Sequence, residues 1–237
     1  MAKVIIFSGA GISAESGIPT FRDSGGLWEE YKIEEVCQVG CLAKNREKTI
    51  EFYDKRRCEL KDVKPNKAHK EIVKIKEKYL DEITVITQNV DDLFEKAGCK
   101  DVIHLHGFLK EIRCNKCNFI EDIEYKSLKK VYSNEKCPKC GKNLRPNVVF
   151  FGEAAPEYKK LYKEFDNCEV LVIIGTSGNV INPNIFLEEG DVKYSILNNL
   201  EPSEVINDKL YSKVLYKPVT EAIDEIIKDI ENFLGEK

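Results

Sequence analysis

The chain has 237 residues, of which 42% are hydrophobic and 33% charged, enough apolar material for one large domain or one domain carrying a smaller insertion. A formal net charge of -4 provides no basic field, so non-specific nucleic-acid binding is not expected. No apolar run approaches the length that spans a bilayer, and "VIIFSG" is preceded by no basic leader, so a soluble, cytoplasmic protein with no membrane partner is expected.

The first element is a strand in "KVIIFS", followed at once by Gly9, Gly11 and Ala14 in a GxGxxA turn. Such a turn brings backbone N–H groups close to a pyrophosphate, and it equally makes a tight strand-to-helix connection. A dinucleotide dehydrogenase would place an acidic residue at the end of a second strand about 20 residues on. Here the chain reads "DSGGLWEEY", a loop, so a dinucleotide bound by this turn would serve as something other than a hydride carrier.

Residues 33–83 read as helices, with "KEIVKIKEKYLDEI" presenting a solvated charged face. Within them "EFYDKRR" puts Tyr53 and Arg56 on one side of a helix. A second strand, "EITVITQ", leads into "TQNVDDL", where Asn89 and Asp91 would suit a strand-end turn with local capping. "VIHLHG" follows, with two of the chain's three histidines two residues apart, on one face if the segment is extended. A metal pair, a base with a neighbour, and simple packing are all compatible with it.

Nine cysteines without a secretory signal favour metal over disulfides. "CNKC" and "CPKC" set Cys114, Cys117, Cys137 and Cys140 as two CxxC turns, whose four thiolates complete a tetrahedral zinc shell with no open position. A structural zinc so supplied needs no histidine, which weakens the metal-pair reading. Three further strands are expected in "CEVLVIIGTS", "KYSILNN" and "SKVLYKP", the first apolar on successive residues like a strand covered on both faces. The last element is a helix with Ile223, Ile226, Ile227, Ile230, Phe233 and Leu234 on one face and Thr220 as its N-cap. The alternation gives an α/β, doubly wound parallel sheet. The expected division is 1–32, 84–112 and 144–237 in the sheet domain, with 33–83 and 113–143 as two insertions forming a small helical and zinc-binding domain.

Taken in order, "GAGISAESGIPTFRDSGGLW", "TQNVDDL", "HLHG", the paired CxxC turns and "GTS" resemble the sirtuins, NAD-dependent protein-lysine deacylases, over essentially the whole chain. The resemblance implies a Rossmann-like NAD domain beside a zinc domain, with NAD consumed as co-substrate and acyl-lysine meeting it in the cleft. It assigns the NAD phosphates to Gly9, Ala10, Gly11 and Ser13, and the loop over NAD to Phe21, Arg22 and Trp28. It gives ribose to Gln88, the nicotinamide carboxamide to Asn89 and Asp91, the adenosine side to Gly175, Thr176, Ser177 and Asn199, and the neighbourhood of adenine to Val219. His106 becomes the general base and His104 a structural neighbour, while His69 is a packed or capping residue. Tyr53 and Arg56 match the branch that removes succinyl and malonyl groups, where a guanidinium grips the acyl carboxylate. The implied activity is removal of acetyl and acidic acyl groups from protein lysines by a monomer, releasing nicotinamide and O-acyl-ADP-ribose. Protein mono-ADP-ribosyl transfer and a non-catalytic NAD-sensing module are the competing readings.

Overall fold

A computed structural model of the chain describes residues 3–20 and 31–235. In chain order its elements are β1 (Val4–Ser8), α1 (Gly11–Ala14), α2 (Ile33–Val36), α3 (Cys41–Lys44), α4 (Arg46–Leu60), α5 (Lys67–Tyr79), β2 (Ile83–Thr87), α6 (Leu93–Ala97) and β3 (Ile103–His104). There follow β4 (Gly107–Cys114), β5 (Ile120–Asp122), α7 (Leu128–Val131), β6 (Leu144–Val148), α8 (Tyr158–Phe165), β7 (Val170–Ile174), α9 (Asn184–Glu189), β8 (Tyr194–Asn199), β9 (Lys213–Tyr216) and α10 (Val219–Gly235). No described helix is long and apolar enough to cross a membrane.

Six strands form one parallel sheet in the order β3-β2-β1-β7-β8-β9. Alternate residues of its central strands serve two cores. Val4, Ile6, Val85, Val172 and Ile196 pack under α5 and α10, while Ile5, Phe7, Ile86, Leu171 and Leu197 pack under α8 and α9. Covering both faces with helices is what makes "VLVII" apolar on every residue. The sheet reverses its strand order between β1 and β7, so the crevice at their carboxyl ends is a topological switch point.

A second, antiparallel sheet of order β5-β4-β6 carries its own cores with α2, α3, α4 and α7. Two sequence expectations are corrected here. Helix α5 packs on the large sheet through Ala68, Ile72, Val73 and Ile75, so the helical insertion ends before it and not at residue 83. Strands β4 and β6 pair with each other from Gly107↔Val148 to Cys114↔Leu144, so the small sheet takes in residues expected in the large domain. Thr220 is the other displaced assignment. It lies inside α10, and the Glu15 carboxylate accepts both its backbone N–H (3.0 Å) and its hydroxyl (2.6 Å).

Candidate active site

Every strand that ends at the switch-point edge hands over a residue singled out in the sequence. Gly9 to Ser13 follow β1, Gln88 to Asp91 follow β2, His104 and His106 close β3, Gly175 to Ser177 follow β7, and Asn199 ends β8. The glycines there have a packing reason of their own. A Cβ on Gly11 would stand 2.6 Å from the Cα of Gly175, so the two loops touch backbone to backbone. The GxGxxA turn is therefore also a close-packing device between β1 and β7.

Ser13 is the hub of the polar cluster, a role its assignment to phosphate did not anticipate. Its buried hydroxyl donates to Asp91 Oδ2 at 2.9 Å and accepts from Asn89 Nδ2 at 3.1 Å. Burial raises the Asp91 carboxyl above its ordinary range, opposed by bonds from the Leu93 amide and Ser13. Gln88 Nε2 donates to Thr176 Oγ1 at 3.1 Å, and Asn199 Nδ2 to the Thr176 carbonyl at 3.0 Å, which ties the β2, β7 and β8 ends together. Ser177 accepts the Asn179 amide at 3.4 Å in a local turn. Val219 is buried at the start of α10.

The two histidines face consecutive carbonyls of one loop and differ in what holds their second nitrogen. His104 Nδ1 lies 2.8 Å from the Asn89 carbonyl, and its Nε2 lies 2.9 Å from Glu95 Oε1. Both partners are acceptors when Glu95 is ionised, so the imidazolium satisfies both. Burial works against that charge, but Glu95 and the Asn89 carbonyl outweigh it and hold His104 above its usual pKa. His106 Nδ1 is 3.0 Å from the Gln88 carbonyl, and its Nε2 is 3.0 Å from the hydroxyl of Tyr158, a residue that no sequence motif singled out. Burial, partly offset by the Gln88 bond, lowers its pKa, so His106 is neutral at physiological pH. A neutral imidazole with Nδ1 tied to a carbonyl is a base at Nε2.

Gly107, directly after this base, has φ +87°, and a Cβ there would meet the Asn147 carbonyl at 2.0 Å. Only glycine permits both the turn and the approach of β6. That approach also lets the Val149 amide donate to the His106 carbonyl at 2.8 Å. The following segment is pinned by Arg145, whose Nη2 reaches Glu153 Oε2 at 3.0 Å and whose guanidinium lies 3.9 Å from the Phe150 ring centroid.

Phe150 stacks on Tyr53 with ring centroids 5.4 Å apart at 12°. The Tyr53 hydroxyl donates to Cys37 Sγ at 3.4 Å, and Arg56 acts electrostatically on both groups while its guanidinium sits 5.8 Å from the Phe52 ring. Tyr53 is thus buried, with its hydroxyl turned to a thiol, and Arg56 is half-buried beside it. Phe21, Arg22 and Trp28 lie outside the described residues.

The Sγ atoms of Cys114, Cys117, Cys137 and Cys140 all lie within 4.8 Å of one another, the only such cluster of metal-binding groups among the described residues. Separations of 3.5 Å for Cys114–Cys140 and Cys117–Cys137 are far longer than an S–S bond and close to the edge of a Zn–S4 tetrahedron. The donor set fits zinc.

A parallel switch-point sheet, a four-cysteine module on a second sheet, and a base beside an amide–carboxylate cluster together define a Rossmann-type nucleotide enzyme with a zinc module. The Sir2 family model matches residues 9–182, and the chain belongs to that family. It is 47% identical over 235 residues to an NAD-dependent protein deacylase of Campylobacter jejuni, covering 99% of this chain and 98% of that one. It is 42% identical over 257 residues to an NAD-dependent protein deacylase of Helicobacter hepaticus, covering 98% and 99%. Among solved structures, a crystal structure of a Sir2 homolog–NAD complex superposes with TM-score 0.84 at 35% identity, covering 98% of this chain and 90% of that one. A structure concerned with sirtuin substrate affinity superposes with TM-score 0.80 at 29% identity, covering 95% and 93%.

Proposed function

We propose that this chain is an NAD-dependent protein-lysine deacylase that takes acetyl groups and also acidic acyl groups such as succinyl and malonyl. The observation that carries the reading is the convergence of the Ser13–Asn89–Asp91 cluster and the His106 base at one switch-point edge, in a chain of the Sir2 family. Asn89 and Asp91 offer a donor and an acceptor, as a nicotinamide carboxamide requires, with Ser13 holding them in register. In this reading, which follows the family resemblance, Gly9, Ala10, Gly11 and Ser13 serve the phosphates of NAD, Gln88 the ribose, and Gly175 to Ser177, Asn199 and Val219 the adenosine side.

His106 is the general base in this scheme. Its neutral Nε2 accepts a proton from a ribose hydroxyl after the acyl oxygen has attacked the anomeric carbon and nicotinamide has left. Arg56, with Tyr53 beside it, supplies the charge for a terminal carboxylate, since two parallel N–H···O bonds from a guanidinium match that group. Zinc, held by the four cysteines, would fix the small sheet and take no part in the chemistry.

Nicotinamide release from NAD, measured with matched acetyl-lysine and succinyl-lysine peptides, tests the reading. Wild type should respond to both peptides. His106→Ala should lose at least about 100-fold on both, the scale of a lost general base. Arg56→Met should lose about 10-fold or more on the succinyl peptide alone, the scale of a lost charge-assisted hydrogen bond. Equal succinyl turnover without Arg56 removes the acidic-acyl claim. Release independent of any acyl peptide removes the deacylase claim.

A further inference from the structure

Tyr158 opens α8, and its hydroxyl lies 3.0 Å from Nε2 of His106, with the two rings 6.0 Å apart at 48°. The other ring nitrogen of His106 faces the Gln88 carbonyl, which only accepts, so Nδ1 carries the proton and Nε2 keeps its lone pair. The phenol is therefore the donor, and it takes up the lone pair that a substrate proton would need. The groups facing His106 are this phenol from α8 and the Gln88 carbonyl from the end of β2, with Tyr162, one turn along α8, acting on Tyr158. No charged side chain hydrogen-bonds to His106 among the described residues.

We propose that Tyr158 caps the base: in the free protein its phenol occupies Nε2 of His106, and the ribose hydroxyl must displace it to reach the base. The proposal rests on the reading of His106 as general base. Tyr158 acts through His106 and is a positioning residue. The Tyr158 ring is half-buried at the edge of the core under α8 and α9, so freeing Nε2 takes a rotation of that ring or a shift of the first turn of α8. No side chain caps its N-terminus, Leu161 is its one buried residue, and its far end is held by Phe165 stacking on Phe186 at 3.9 Å.

A hydrogen bond received by the neutral imidazole favours the neutral form, so removing it should raise the pKa of His106. Tyr158→Phe keeps the ring and removes the hydroxyl. With three histidines in the chain, ring-nitrogen NMR can follow each titration separately. In Tyr158→Phe the His106 midpoint should rise by about 0.5–1 pH unit, the worth of one net hydrogen bond. The acidic limb of kcat/KM should move with it, and KM for NAD should fall about 2- to 10-fold because nothing need be displaced. An unmoved midpoint with unmoved KM overturns the cap. A 10-fold loss of kcat with unmoved KM also overturns it, since the phenol would then act in the reaction itself. His106→Ala separates the two ideas: turnover that survives it sinks the base reading, and the NMR midpoint in Tyr158→Phe then decides the cap alone.

Discussion

His69 shows what one buried titratable side chain does to stability. It sits in the first turn of α5, where the Asn66 side chain accepts from the Ala68 and His69 amides and lies 3.0 Å from His69 Nδ1. The ring meets Phe94 edge-on at 4.9 Å and is fully buried, and burial pushes its pKa down to about 4. In the unfolded chain the same ring has an ordinary pKa near 6.5. Between those two values the unfolded state holds the extra proton, so stability is full above 6.5 and drains away as pH falls toward 4. From pH 7 to pH 5 this residue alone should cost about 2 kcal/mol. His104 has a raised pKa and works in the opposite sense, losing its contribution as pH rises, so the comparison must be between variants. Urea unfolding at the two pH values should show that His69→Leu flattens the acid slope. A slope equal to that of wild type would show that the ring is not the proton-binding group. The sequence left His69 as a packed or capping residue; that it is fully buried was not legible there, because Phe94 comes from a separate segment.

Helix α4 divides the work of "EFYDKRR" between two sides. Tyr53 and Arg56 address Cys37 and Phe150, the side proposed to meet the acyl group. Asp54 and Arg57 point into the small module and hold it together. Arg57 is fully buried, pairs with Asp54, and donates through Nε to the Leu109 carbonyl at 2.7 Å, while Asp54 accepts the Leu128 amide at 2.9 Å. One ion pair thus ties α4 to β4 and to the start of α7. Arg57→Met leaves the Asp54 carboxylate buried without its partner, which should cost about 3–5 kcal/mol in chemical denaturation. Arg56→Met, one residue earlier, should cost less than about 1 kcal/mol. Similar losses from both would remove this division of the helix. Two adjacent arginines are indistinguishable by spacing alone. Their fates separate only when β4 packs across one of them.

At the scale of the whole molecule, the zinc module and the proposed active site are joined by one strand. β4 starts at Gly107, next to His106, the proposed base, and ends at Cys114, the first cysteine of the cluster. Cys114 and Cys137 also line the core formed by Ile50, Ile112, Ile123, Leu128 and Leu144. Removing the metal leaves four sulfurs crowded without their common ligand, two of them, Cys114 and Cys137, in the wall of that small core, so chelation should loosen the β4–β6 sheet while the parallel sheet persists. Hydrogen exchange after chelator treatment should lose protection in residues 107–148 and keep it in β1, β2 and β7. Acyl-peptide turnover should fall along with it, although the metal touches no reacting atom. Uniform loss of protection would mean that the two sheets fold as one unit.

The sequence alone determined what depends on local pattern. Continuous apolar runs specify buried parallel strands, CxxC spacing specifies a tetrahedral thiolate site, and an ordered set of motifs specifies the family. Helix α5 escaped that reading because amphipathicity reveals that a face is buried, and not which sheet covers it. The same limit explains Thr220, capped by Glu15 from 205 residues away. Ser13 as the hub between Asn89 and Asp91, the pairing of His104 with Glu95, and Tyr158 on His106 were decided by tertiary structure alone. Each is a contact between the ends of separate strands or helices, and only the strand order of the sheet brings those ends to one edge.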